Sequence, residues 1–177
     1  MKALLEPNDV SAMHDSLHNV HPRFGLLWLL GVDTGYRVSD LLSIRVGSTT
    51  DEMVSENRLS IRESKTGKRR EVKISPGVRM AVTALTLAHR LRRGDFLFWG
   101  RSPRFACTRQ WIHRLISRVA KNKGLKNVGP HSMRKIYACN IYRNTGSLKC
   151  VQEALGHSFP STTMIYLRDL LPASNAD

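Results

Sequence analysis

His131-Ser132-Met133-Arg134-Lys135 opens the stretch of sequence that decides the fold, and Leu155-Gly156-His157 closes it, with Tyr166 nine residues beyond that histidine. Gly129-Pro130 predicts the start of a helix, because proline is favoured in a first helical turn, and Gly146 predicts its end. Residues three apart in a helix share a face, so His131 and Arg134 are expected to point the same way. The buried stripe of this helix is predicted on a different face, from Met133, Ile136, Tyr137 and Ile141.

Two shorter helices are predicted after this one. Ser147 is a suitable cap for the second helix, which has Val151 and Leu155 on its apolar side and ends at Gly156. His157 would then lie just past a helix terminus. Residues 158–161 begin the third helix, which carries Tyr166, so polar groups collect at the junctions between helices.

The rest of the chain is predicted to be mainly helical, with one β-hairpin. Helices are expected from Asn8 or Asp9 to Pro22, over the apolar residues 24–32, over residues 37–44, and after Pro76 and Thr108. The apolar residues at helical spacing are Val10, Met13, Leu17 and Val20 in the first of these helices, and Met80, Leu85, Leu87 and Leu91 in the helix after Pro76. Residues 59–63 and 71–74 alternate apolar and polar side chains around a polar turn at 64–70, which is typical of a hairpin. A third strand is expected near Met53-Val54. The fold class is therefore mainly α with a small antiparallel β-sheet (α+β).

The charge of the chain indicates its partner. The 177 residues include 28 Lys+Arg and 14 Asp+Glu, a net charge of +14, and such an excess predicts a polyanion, nucleic acid first. The longest apolar run, residues 24–32, is too short to span a membrane, and the N-terminus does not fit a signal peptide. We expect a soluble protein that is not exported.

Basic residues concentrate in one helix and the segments beside it. Residues 90–126 contain eleven Lys+Arg and one acid, Asp95. A solvated face usually mixes both signs of charge, so this helix is expected to lie against a phosphate backbone. Its basic residues are Arg109, Arg114, Arg118 and Lys121, away from a core side of Trp111, Ile112, Leu115 and Val119.

The three cysteines, Cys107, Cys139 and Cys150, have no CxxC spacing and support neither a disulfide framework nor a zinc site. Cys139 and Cys150 lie in helical patterns and are expected to be small buried residues.

The polar residues of the junctions suit one reaction. A phosphodiester under attack gathers negative charge on its non-bridging oxygens, which fixed guanidiniums stabilise. A tyrosine hydroxyl can be the nucleophile that forms a covalent intermediate, and a lysine or histidine can give the departing oxygen its proton.

Five short motifs follow one another in an order and spacing that together are specific, although each is weak alone. The chain resembles the catalytic domain of the tyrosine recombinases, the phage integrase family of site-specific DNA recombinases. The motifs that carry the resemblance are Thr34-Gly35-Tyr36-Arg37-Val38-Ser39-Asp40-Leu41-Leu42, Lys65-Thr66-Gly67-Lys68, His131-Ser132-Met133-Arg134, Leu155-Gly156-His157 and Tyr166.

The resemblance implies a role for each residue. Tyr166 would form a 3′-phosphotyrosyl link and release a 5′-hydroxyl, and Arg37 and Arg134 would hold the phosphate. Lys65 would protonate the leaving oxygen. The resemblance implies no metal or nucleotide cofactor. The remaining roles are help from His131 and His157 at the phosphate, support of the site by Asp40, and DNA contacts by Lys68 and Arg69 together with the basic helix.

Structural roles remain open for each residue taken singly, such as an ion pair of Arg37 with Asp40 or a core position for Tyr166. Two other functions also stay open: a type IB topoisomerase, which nicks and reseals DNA, and a DNA-binding regulator without the reaction.

The family pattern fills residues 1–177 as a single catalytic domain. It begins within the first ten residues, which leaves no room for the helical domain that usually precedes it in the family. We expect either a fragment of a longer recombinase or a compact recombinase. The tail, residues 167–177, carries Leu167, Leu170 and Leu171, which could enter a neighbouring subunit or pack on their own domain. Recombination implies a homotetramer on two DNA sites, and a monomer is expected free in solution. The resemblance also implies a location in the cytoplasm of a bacterial or phage-infected cell, at the nucleoid.

Overall fold

The computed structural model describes residues 5–157 and 160–167, except for the side chains of Ser48, Ile165 and Tyr166. The mainly helical fold with a small antiparallel sheet is confirmed. In chain order the elements are α1 (Pro7–Val20), α2 (Pro22–Thr34), α3 (Val38–Leu42), α4 (Ser48–Ser55), β1 (Arg58–Arg62), β2 (Arg69–Lys73), α5 (Pro76–Ala88), α6 (Arg109–Asn122), α7 (Pro130–Thr145), α8 (Leu148–Leu155) and α9 (Pro160–Leu167).

Helix α2 is the centre of the core, as its continuous apolar sequence predicts. Trp28 and Leu30 are fully buried, and the indole of Trp28 donates a hydrogen bond to the carbonyl of Val10, 3.0 Å away in α1. A helix that is apolar on all sides needs neighbours on all sides, and α2 packs against α1, α5 and α7. The carboxyl end of α2 is thereby fixed against α7.

The hairpin is confirmed, with β1 antiparallel to β2 and Leu59 opposite Val72. The amide of Glu63 donates to the carbonyl of Lys68 (2.9 Å), which closes the loop after the last strand pair. The third strand expected near Met53-Val54 is wrong, because these residues lie in α4. Met53 is fully buried, and two adjacent apolar residues do not distinguish a helix from a strand.

Helices α7, α8 and α9 follow one another as predicted and enclose a small apolar cluster of their own. The cluster contains Ala138, Cys139, Val151, Leu155 and Leu167. Leu167 is fully buried, so this first residue of the tail packs on its own domain. Residues 168–177, including Leu170 and Leu171, lie outside the described part of the chain.

Several helix faces differ from those that periodicity predicts. In α5 the side chains of Met80 and Leu87 are 67% and 73% exposed, because α5 turns Val78, Val82 and Leu85 inward instead. Both stripes have helical spacing, and packing against α2 and α4 selects one. The same correction applies to Val20, Trp111 and Cys150, all of which are exposed.

Among the described residues, no helix combines the length and the apolar character needed to cross a bilayer.

Gly35 and Gly146 both end helices in the left-handed conformation, with φ of +63° and +65°. A Cβ on Gly35 would lie 2.8 Å from Cγ of Tyr137, whereas one on Gly146 would have nothing within 4 Å. We expect Gly146→Ala to lower the free energy of unfolding by about 1 kcal/mol, the cost of the backbone conformation alone. Gly35→Ala should cost about 2–4 kcal/mol, because ring overlap is added. Urea unfolding measures both, and equal losses would contradict the close approach of α2 and α7.

Candidate active site

Arg134 lies where three helices meet. It is 2% exposed, and its guanidinium donates to the carbonyls of Gly35 (2.5 Å) and Leu155 (2.6 Å), at the carboxyl ends of α2 and α8. These carbonyls are left unpaired by their own helices, and they carry the negative end of the helix dipole. The side chain of Arg134 is therefore held in place by backbone on two sides.

The expectation that Arg134 lies apart from the buried residues of α7 is wrong. Arg134 points into the protein, while His131 is exposed at the start of α7. The carbonyls of Gly35 and Leu155 explain the difference, because they supply the acceptors that a buried guanidinium requires. His131 lines a cavity of about 370 Å³ beside Val38 and residues of α6.

Arg37 and Arg134 are joined through a carboxylate that the sequence analysis did not single out. Nη1 of Arg37 lies 3.0 Å from Oε2 of Glu63, and Nη1 of Arg134 lies 3.7 Å from Oε1. The backbone of Arg37 is at the N-cap position of α3, and Glu63 follows β1. The spacing of Glu63 indicates its burial: every second residue of a strand faces the same side, so Glu63 shares a face of the hairpin with Leu59 and Ile61.

The carboxyl of Glu63 is ionised despite its burial. Burial by itself raises the pKa of Glu63, but the charges of Arg37, Arg70 and Arg134 outweigh this effect and hold the pKa below its usual value. The cluster therefore contains one negative charge among three positive charges.

Arg70 was also missed, because its sequence position predicts a place in the polar turn. Its Nη1 donates to the carbonyls of Thr34 and Ala154, both at 2.9 Å, and its Nε lies 3.4 Å from Oε1 of Glu63. Its guanidinium stacks over the ring of Tyr36, 3.8 Å from the centroid. Arg70 thus fastens the hairpin to the ends of α2 and α8.

His157 contacts both Arg134 and the last helix. Its Nε2 lies 3.3 Å from Nη2 of Arg134, and its Nδ1 lies 3.0 Å from the hydroxyl of Thr163 in α9. A guanidinium only donates hydrogen bonds, so Nε2 accepts and Nδ1 carries the proton. Burial, followed by the charges of Arg134 and Arg37, lowers the pKa of His157 to about 4. The ring is neutral at pH 7.

The hairpin turn lies beside the cluster of Arg37, Glu63 and Arg134, and it is held there by Asp40 and carries Lys65. Oδ1 of Asp40 accepts from the amide (2.9 Å) and the hydroxyl (2.7 Å) of Ser64, which fixes the residue before Lys65. Lys65 is exposed, and its charge also contributes to the lowered pKa of His157. Asp40 contacts the turn rather than Arg37, whose ion pair is with Glu63.

The residues predicted to contact DNA are all exposed: Lys68, Arg69, Arg109, Arg114, Arg118 and Lys121. In the hairpin, Nε of Arg69 donates to the hydroxyl of Ser60, 2.7 Å away. Helix α6 buries Ile112, Leu115 and Val119 and turns its basic residues outward. Thr108 caps it, as expected, by accepting from the amide of Trp111.

Tyr166 belongs to α9, but its side chain lies outside the described part of the chain. The predicted site thus comes together around Arg37, Arg134 and His157, with Asp40 and Lys65 at the adjoining turn and His131 at the exposed start of α7. Guanidiniums bind carboxylates and phosphates through the same kind of charge-assisted hydrogen bond. Within residues 5–157 and 160–167, no group of three or more His, Cys, Asp or Glu side chains could hold a metal ion.

Comparison with known families identifies the chain. The model of the Phage integrase family matches residues 4–171, and the chain belongs to this family of tyrosine recombinases.

Individual relatives agree with this assignment. The chain is 28% identical over 151 residues to the probable integrase/recombinase YoeC of Bacillus subtilis, across 85% of this chain and 80% of YoeC. It is 32% identical over 152 residues to the tyrosine recombinase XerC of Neisseria meningitidis, across 84% of this chain but 46% of XerC. The crystal structure of XerA recombinase has the same fold, with a TM-score of 0.80 at 23% identity over 98% of this chain and 62% of XerA. The chain thus spans about half the length of XerC.

The neutral state of His157 predicts a pH dependence of stability. Unfolded His157 takes up a proton near its ordinary pKa of 6.5, whereas in the folded protein it does so only near 4. Between these values the unfolded state binds more protons, so the free energy of unfolding falls as pH drops from about 6.5 to 4. Urea unfolding measures the free energy of unfolding of wild type and of His157→Gln. The difference between the two free energies should shrink as the pH falls through this window. A pH-independent difference would contradict the assignment.

Proposed function

We propose that this chain is the catalytic domain of a site-specific DNA recombinase that breaks and rejoins strands through a covalent 3′-phosphotyrosyl intermediate. The observation that carries the proposal is the pair of guanidiniums, Arg37 and Arg134, held on one anion beside a neutral histidine. Membership of the phage integrase family supports a reaction on DNA, and so does the net charge of +14.

The two guanidiniums suit a phosphodiester because one is accessible and the other is fixed. The side chain of Arg37 is 19% exposed, whereas that of Arg134 is 2% exposed. A phosphate would approach Arg37 from solvent and meet Arg134 behind it. Permanently charged groups placed in advance stabilise the charge that grows on the phosphate oxygens without further rearrangement.

The chemical step is proposed as follows. The phenol oxygen of Tyr166 attacks phosphorus, the bond to the 5′ oxygen breaks, and Lys65 gives that oxygen its proton. His131 helps to accept the proton of the phenol. The 5′ hydroxyl of a strand then attacks the phosphotyrosine, which restores the phosphodiester and releases Tyr166. The phosphotyrosyl link conserves the energy of the broken bond for this second step.

His157 suits a role in holding Arg134 better than one as an acid. A group with a pKa of about 4 is almost wholly unprotonated at pH 7 and has no proton to give. The contact of His157 with Thr163 supports a position of Tyr166 near the site, because Tyr166 follows Thr163 by three residues in α9. One helical turn thus separates the backbone of the proposed nucleophile from the residue that touches His157.

The exposed cations of α6 and of the hairpin are proposed to contact the DNA backbone. Asp40 is proposed to support the site by fixing the turn that carries Lys65. We further propose that residues 1–177 act as one catalytic domain, with no metal or nucleotide cofactor. The working form is a homotetramer on two DNA sites in the cytoplasm of a bacterial or phage-infected cell. Since Leu167 packs on its own domain, an exchanged tail would consist of residues after it.

A library of nicked duplexes with randomised sequence tests the proposal without knowledge of the target. A nick beside the scissile phosphate lets the short fragment diffuse away, which traps the covalent intermediate. We expect wild type to yield protein-linked DNA after denaturation, with the link on Tyr166 by peptide mass spectrometry, and Tyr166→Phe to yield none. An adduct that persists in the variant would disprove the nucleophile, and bound DNA without an adduct in wild type would favour a regulator.

The contact of α6 with DNA predicts a change in salt dependence. If Arg114 and Arg118 each contact one phosphate, replacing both with alanine should reduce the slope of log affinity against log salt by about 1.8, or 0.9 per contact. Fluorescence anisotropy with a duplex recovered from the library measures the slope. Arg79→Ala is the control, an exposed arginine in α5, and should leave the slope unchanged. An unchanged slope in the double variant would remove α6 from the interface.

A further inference from the structure

Glu63 is a buried carboxylate at the centre of the proposed phosphate site. Its side chain is 2% exposed, and its two oxygens are divided between guanidiniums: Oε2 faces Arg37, and Oε1 faces Arg70 and Arg134. The hydroxyl of Thr66 adds a hydrogen bond to Oε2 at 3.1 Å. The known chemistry of strand cleavage gives no task to a carboxylate at this place, because an anion next to the phosphate would repel it.

We propose that Glu63 is a positioning residue that sets the distance and direction between the guanidiniums of Arg37 and Arg134. This inference rests on the function proposed above, in which these two groups bind the scissile phosphate. Glu63 does not touch DNA in this account. It acts from the inner side of the guanidinium pair, while the phosphate occupies the outer side.

The need for such a residue is greatest at Arg37. Arg134 is already fixed by the carbonyls of Gly35 and Leu155, whereas the polar contact of the Arg37 guanidinium within the described residues is the ion pair with Glu63. A long side chain with one exposed face has many rotamers in the absence of a partner. The carboxylate of Glu63 restricts Arg37 to the rotamer in which its guanidinium faces Arg134.

The arrangement leaves positive charge available for the phosphate. Arg37, Arg70 and Arg134 contribute three positive charges and Glu63 one negative charge, so the cluster keeps an excess of two. Arg70 lies on Glu63 from the hairpin side and is turned to the carbonyls of Thr34 and Ala154. Arg70 shares the negative charge of Glu63 with Arg37 and Arg134, so the excess of two positive charges is available to the substrate. The sharing of one carboxylate among three guanidiniums thus explains how an anion can remain in a phosphate site.

Glu63→Gln and Glu63→Asp test the proposal in the full chain, with a nicked duplex recovered by wild type. Glutamine keeps the shape of the side chain and removes its charge, whereas aspartate keeps the charge and is one methylene shorter. We expect Glu63→Gln to slow adduct formation at saturating DNA at least tenfold, with the Kd for DNA within threefold of wild type. Glu63→Asp should recover part of the rate.

Glu71→Gln is the matched control. Glu71 lies in the same hairpin and forms an ion pair with Arg58 at 2.9 Å, but it is exposed. Both the rate of adduct formation and the Kd should be unchanged in this variant. An effect as large as that of Glu63→Gln would mean that the hairpin as a whole is sensitive to loss of charge, which would overturn a specific role for Glu63.

A second measurement does not require cleavage. Guanidinium resonances in ¹⁵N NMR, assigned with Arg37→Lys, report the rotation of Arg37 in the free protein. Rotation should be slow in wild type and in Glu71→Gln, and fast in Glu63→Gln. If wild type forms no adduct, the proposed function fails, while the resonances still decide whether Glu63 holds Arg37.

Three further results would overturn the proposal. An unchanged or faster rate of adduct formation in Glu63→Gln would show that Glu63 is a bystander or competes with the phosphate. Equal losses in affinity, rate and melting temperature for glutamine and aspartate would show a structural role alone. If Glu63→Gln does not fold, then Glu63→Asp decides, and a wild-type rate with wild-type rotation of Arg37 would exclude the positioning role.

Discussion

The structure depends on the burial of one guanidinium. Arg134 is almost wholly inside the protein, and a charged group there must find acceptors for its N–H groups or lose several kcal/mol. Its acceptors are the backbone carbonyls of Gly35 and Leu155 and a ring nitrogen of His157. The hydrogen bonds that the guanidinium of Arg134 requires therefore bring together the ends of α2 and α8 and the start of the connection to α9.

The glycine caps make this arrangement possible. Gly35 and Gly156 end α2 and α8 in the left-handed conformation, which turns the chain away and leaves terminal carbonyls pointing at the guanidinium. The same turn after Gly35 puts Arg37 at the amino end of α3. A turn that ends one helix thus supplies an acceptor for Arg134 and also delivers the second guanidinium of the site. The carboxylate of Glu63 then joins the two.

Much of this architecture could be predicted from the sequence. The hairpin follows from strict alternation around a polar turn, and α7 to α9 follow from apolar spacing punctuated by Gly146, Ser147 and Gly156. These signals are local, so the sequence contains them in full. The resemblance to the tyrosine recombinases also rests on short motifs, and the match over residues 4–171 confirms the family.

The unpredicted features are those that depend on contacts between distant segments. Helical spacing does not say whether Met80 or Val82 faces the core, because either stripe is self-consistent until α2 and α4 select one. In the same way, the inward direction of Arg134 depends on carbonyls that are distant in sequence. Glu63 was hidden because a charged residue near a turn is ordinarily solvated, and its buried role exists only once three arginines from separate elements surround it.

A crystal structure of the Tyr166→Phe chain on a selected duplex tests the central claim most directly, because it shows which groups meet the scissile phosphate. The account predicts that the guanidiniums of Arg37 and Arg134 both lie within hydrogen-bonding distance, about 3 Å, of oxygens of the same phosphate. Arg134 should keep its bonds to the carbonyls of Gly35 and Leu155. The account would be contradicted if the two guanidiniums bound different phosphates, or if DNA met the basic face of α6 while the buried arginine cluster stayed away from every phosphate.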